Sequence, residues 1–113
     1  SPNRALRSAS HLAWARWLVG DADGAREALD QAEAVLATIT APPGSVFLDG
    51  YRSYLAIART QLALGATSRA QELLAALVSA AREFGWRDAE QEADQLLATV
   101  TGSGVPAPPD QAP

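Results

Sequence analysis

Few residues of this chain could do bond-making chemistry. His11 is its single histidine, so no histidine-rich metal site is possible, and as a lone general base it has no carboxylate nearby in its own helical stretch. Asp21-Ala22-Asp23-Gly24 sets two carboxylates before a glycine, as a calcium loop does, but the glycine arrives too early and the later ligands are missing. Capping of a helix is the expected use of those aspartates. Glu90 and Asp94 stand one helical turn apart, a spacing that serves either a cation or a solvated acidic face. Gly102-Ser103-Gly104 lacks the lysine of a phosphate loop. The chain is therefore expected to be no enzyme and to carry no cofactor or metal.

Binding chemistry is better represented. The stretches 4–19 and 51–64 hold Arg4, Arg7, Arg16, Arg52 and Arg59 without one Asp or Glu. At 100° per residue, Arg7, His11, Trp14 and Leu18 fall on one helical stripe. A shift of 45 residues carries them onto Arg52, Ala56, Arg59 and Ala63, which also share a stripe. Guanidinium groups beside an indole, with small residues leaving room, suit an acidic peptide with an apolar side chain or a small anionic effector. These eight residues are the candidate binding groove. Trp14 and Leu18 have an equal alternative, packing on a neighbouring repeat or on a second copy in a homodimer.

The same shift defines the elements that must position them. Leu12-Ala13, Gly20, Ala25 and Leu29 recur as Ile57-Ala58, Gly65, Ala70 and Leu74, an internal repeat of the kind that stacks helix pairs. Periodicity predicts helices at about 3–19, 22–39, 46–64, 68–84 and 88–100. Their inward faces are expected at Ala5, Ala9, Leu12, Ala13 and Val19; at Ala25, Ala28, Leu29, Ala32, Val35, Leu36 and Ile39; and at Tyr51, Leu55, Ala58 and Leu62. The fourth turns in Ala70, Leu73, Leu74, Leu77, Val78, Ala81 and Phe84, and the fifth Ala89, Ala93, Leu96, Leu97 and Val100. Ser68 with Gln71, and Asp88 with Gln91, form capping boxes by their spacing. Thr40-Ala41-Pro42-Pro43-Gly44 breaks the chain between the second and third helices. The fold class is thus all-α: two antiparallel helix pairs and a C-terminal capping helix over 1–101, a right-handed superhelix fragment, then a Pro/Gly-rich tail or linker over 102–113 that contains Pro106-Ala107-Pro108-Pro109.

Composition bounds the partners. Of the 113 residues 25 are alanine, so the core must come from closely approaching helices rather than large side chains. A net charge of −4 argues against direct nucleic-acid binding by the whole domain. No run of about 18 apolar residues occurs and Ser1-Pro2-Asn3-Arg4 opens no signal peptide, so neither a membrane partner nor secretion is expected. The absence of cysteine fits a cytoplasmic location.

The units from Leu12-Ala13 to Leu36 and from Ile57-Ala58 to Ala81 resemble tetratricopeptide repeats, with leucine where that family favours aromatics and a period longer than its usual 34 or so. Ala58-Arg59 through Gly65, Arg69 to Leu74 and Ala81 to Gly85-Trp86 look like the divergent repeats of large bacterial LuxR-type or maltose-regulator-like ATPases. That resemblance, over about 5–100, implies a protein-interaction or effector-sensing module of a bacterial transcriptional regulator, with the first helix of each unit lining a concave, basic groove.

Overall fold

The computed structural model describes residues 2–39 and 50–104. They form five helices, α1 (Pro2–Leu18), α2 (Ala22–Leu36), α3 (Gly50–Ala63), α4 (Thr67–Phe84) and α5 (Arg87–Gly104), with no strand among the described residues. The domain is all-α, as the periodicity predicts. The α1–α2, α3–α4 and α4–α5 connections span only Val19–Asp21, Leu64–Ala66 and Gly85–Trp86, which makes each joined pair antiparallel neighbours. Helix α1 packs on α2 and α3, α3 on α4, and α4 on α5. Smaller contacts join α2 to α3 and α3 to α5, while α2 and α4 do not pack on each other. Helices α1, α3 and α5 therefore stand side by side in one row.

The two turns related by the sequence shift have the same backbone. Gly20 and Gly65 adopt φ of 88° and 87°, the left-handed region that glycine enters without a Cβ clash. After each, an amide reaches back to the carbonyl five residues earlier, Asp21 to Arg16 at 2.9 Å and Ala66 to Gln61 at 2.8 Å, and so satisfies helix-end acceptors. Asp21 then caps α2 by accepting from the Gly24 amide at 2.9 Å. The Ser68 capping box does not form: α4 starts at Thr67 behind Ala66, which makes no side-chain cap, so Ser68 already lies inside the helix. Asp88 likewise falls in the first turn of α5, where its charge complements the helix dipole.

Some boundaries move. Helix α2 ends at Leu36 rather than 39, with the Thr38 hydroxyl turned back onto the Val35 carbonyl at 2.6 Å. Helix α5 runs through Gly104, beyond the point where the tail was expected to begin. The Thr40–Gly44 break, the stretch 46–49 assigned to the third helix, and Val105–Pro113 with its Pro106–Pro109 motif lie outside the described residues.

Small residues bring the helices together. Ala13, Ala25, Ala32, Ala58, Ala70, Ala81 and Ala93 are fully enclosed, and Leu29, Leu55, Ile57, Leu74 and Leu77 supply the bulk. Helix α3 is buried on nearly every side because neighbours flank it on both edges and one face. The α1 face needs correction. Leu6, Ala9, Ser10 and Ala13 point inward, whereas Ala5 is exposed, Leu12 is 42% exposed and Val19 79%. Ser10 is tolerated there because its hydroxyl donates to the Leu6 carbonyl of its own helix. Phe84, expected inside, is 45% exposed and stacks on Trp86 with ring centroids 5.5 Å apart. Arg16 donates to the Gly24 carbonyl at 3.1 Å and lies 3.7 Å from Glu27.

Candidate functional site

The row of α1, α3 and α5 leaves a cleft of about 210 Å³ on one side, lined by His11, Trp14, Arg52, Leu55, Ala56, Arg59 and Glu92. Five of the eight sequence-predicted groove residues meet here. Each arrives for a helical reason: His11 and Trp14 lie one turn apart on α1, and Arg52, Ala56 and Arg59 follow one another at i, i+4 and i+7 on α3. Ala56 is buried and forms floor rather than contact surface. Trp14 is half-buried, so its indole forms a wall.

Arg7 is exposed and stands outside the cleft, yet near enough for its charge to act on His11. Leu18, 65% exposed, and half-buried Ala63 do not line it. They extend the two stripes toward the opposite end of the row.

Glu92 and Leu55 are the residues that sequence reasoning missed. Helix α5 stands beside α3 as a third member of the row, and it brings an acid to a groove whose other walls carry none. Arg59 Nη2 lies 3.6 Å from Glu92 Oε2, both side chains being about four-tenths exposed. Arg52 has no such acid among the described residues and holds its guanidinium carbon 5.8 Å from the Tyr51 ring centroid, a cation–π contact. Arg52 also borders a second hollow of about 430 Å³ with Tyr51, Trp86, Arg87 and Asp88. Past Arg52 the surface reaches the first turn of α5, where Arg87 and Asp88 make its charge mixed.

The local field is positive at His11. Its pKa lies below the ordinary 6.5, first because neighbouring atoms displace water from the ring and then because Arg7 and Arg52 disfavour a further cation. The site holds a neutral imidazole near neutral pH, with one donor and one acceptor. Nothing in it activates a nucleophile. Glu90 and Asp94 turn to Arg82 instead, at 2.7 and 3.9 Å, and no cluster of three potential metal ligands occurs among the described residues.

The row of helices thus forms an all-helical domain whose cleft brings together two arginines, a histidine, a tryptophan and one glutamate. The chain matches no protein-family model, no curated protein and no solved structure. Among the described residues no helix is long and apolar enough to cross a membrane.

Proposed function

We propose that this domain is a non-catalytic interaction module whose groove takes an acidic peptide or protein segment. The observation that carries the reading is Arg52, exposed between the two hollows and paired with no acid among the described residues, with His11, Trp14 and Arg59 converging on the same cleft. A carboxylate entering there meets charge-assisted donors from α3, and an apolar side chain next to it meets the Trp14 face. The cleft's volume is below the 300 Å³ or so at which pockets that enclose a whole small molecule begin. It fits one or two side chains of a longer ligand, and the second hollow beyond Arg52 gives such a ligand room to continue. The likeness of the repeated units to those of LuxR-type regulators supports placing such a module in a cytoplasmic bacterial regulatory protein.

The test is fluorescence anisotropy with a labelled peptide of alternating glutamate and leucine, run beside a glutamine-for-glutamate control at two ionic strengths. Binding should be selective for the acidic peptide and weaken with salt. Salt-independent binding, or undiminished binding by the Arg52→Ala/Arg59→Ala double variant, overturns the reading. If the peptide fails to bind while a small dicarboxylate raises the melting temperature, the effector-sensing alternative replaces it.

A further inference from the structure

A second face of α1 is exposed, and it does not belong to the groove. Ala5, Ser8, Leu12, Ala15 and Val19 are all exposed and recur at spacings of three, four, three and four, which places them on one line along the helix. Their exposure shows that no other described helix covers the line. Alternating steps of three and four are the spacing at which one helix seats its side chains between those of another. The seam is about 21 Å long at 1.5 Å per residue.

We propose that this stripe is a self-association surface, covered by α1 of a second copy running antiparallel to the first. Side-chain size favours that arrangement. With the two-fold axis near Leu12 to Ala15, Leu12 of each copy lies over Ala15 of the other and Val19 over Ser8, so larger residues fill the space left by smaller ones. Charge selects the direction. Helix α1 carries Arg4, Arg7 and Arg16 and no acid, so parallel pairing would set arginine against arginine. Antiparallel pairing brings the arginine-bearing start of α1, Arg4 foremost, to the α1–α2 turn of the second copy, where Asp21 and Asp23 stand exposed. Arg16, flanking the seam midway, is already engaged by Glu27 and the Gly24 carbonyl. The contact is isologous and closes at two subunits. It leaves the groove open, because His11 and Trp14 lie on a different side of α1.

Sedimentation equilibrium over about 10 µM to 1 mM tests this, with the mass rising from 11.8 kDa toward twice that value. Leu12→Glu should abolish the rise while circular dichroism stays unchanged, because Leu12 lies outside the core. Arg4→Glu and Asp23→Arg should each weaken the dimer about tenfold, and the two together should restore it. A strict monomer across the range overturns the proposal, as does a Leu12→Glu variant that dimerises like the parent. Failure of the charge swap to restore association overturns the antiparallel arrangement. None of these readouts depends on peptide binding.

Discussion

Arg59 of α3 and Glu92 of α5 meet at 3.6 Å across the groove, so the fold supplies its own carboxylate to one of the two arginines that a ligand would use. In the proposed binding mode Glu92 occupies the place of a ligand acid. A carboxylate that pairs with Arg59 would then compete with it, and the binding energy at Arg59 would be reduced by the energy of that internal pair.

Removing the competitor should therefore tighten binding. Glu92→Gln keeps the side-chain size and removes the charge. The acidic peptide should bind about two- to fivefold more tightly, the worth of an exposed ion pair of 0.5–1 kcal/mol. In the Arg59→Ala background the same change should have no effect, which a double-mutant cycle by anisotropy measures. Equal gains in both backgrounds would mean that Glu92 acts through general repulsion and not by holding Arg59.

Acidification should strengthen binding through His11. The free groove holds His11 below the ordinary 6.5 by loss of water and by the charges of Arg7 and Arg52, with Arg59 and Glu92 lining the same cleft. A bound carboxylate offsets those cations and raises the histidine's pKa, so the complex takes up a proton that the free domain does not. Affinity then rises as pH falls through the window around 6.5, by about two- to tenfold between pH 7.5 and 5.5. His11→Asn should flatten that profile. The free domain should change the opposite way: its depressed histidine takes up a proton more readily when unfolded, so this contribution to stability is present above 6.5 and lost as pH falls.

The hydrogen bonds linking α2, α3 and α4 are a separate point of vulnerability. Gln61 of α3, 3% exposed, donates from Nε2 to Glu33 of α2 at 2.8 Å, and Arg69 of α4 donates to the other Glu33 oxygen at 2.9 Å. Because α2 and α4 do not pack on each other, Glu33 is their tie. Glu33→Ala should cost about 1–3 kcal/mol by leaving the buried amide without its acceptor. Gln61→Leu should cost less, within about 1 kcal/mol, because it also removes the buried Gln61 Oε1, which finds no partner among the described residues. Chemical denaturation of the two variants gives the comparison, and equal losses would refute the accounting.

What the sequence makes legible here is whatever depends on one helix at a time or on the 45-residue shift. Helix α4 keeps Ala70, Leu74, Leu77, Val78 and Ala81 inside because its leucines and valine gather on one face, and the period departs from the structure at its last residue, Phe84. Helix α1 carries apolar residues on every side, Leu6, Leu12, Trp14 and Leu18 among them, so periodicity alone assigned Leu12 to the core and passed over Leu6. Arg52 and Arg59 followed from the shift. Glu92 did not, because its place in the groove depends on α5 lying beside α3, a contact between residues 33 apart in sequence that no local pattern encodes.

The shift also predicts matching energetics at its two turns. Gly20 and Gly65 both lie at positive φ, and a Cβ added at either meets no atom within 4 Å. The cost of Gly20→Ala or Gly65→Ala is therefore backbone strain alone, about 1–2 kcal/mol for an L-residue held in the left-handed region. Each should lower the melting temperature by about 4–8 °C per kcal/mol. Gly24→Ala should lose stability for a different reason. Its backbone is helical, but the new Cβ would sit 2.1 Å from Asp21 Oδ2 and push away the carboxylate that caps α2. Loss of a cap is worth about 1 kcal/mol and should disappear in an Asp21→Ala background, where only the flexible Arg16 side chain, its Cδ 2.9 Å from the new Cβ, still has to shift. In that background Gly20→Ala should keep its full cost, so thermal melts of the two double variants separate strain at the turn from disruption of the cap.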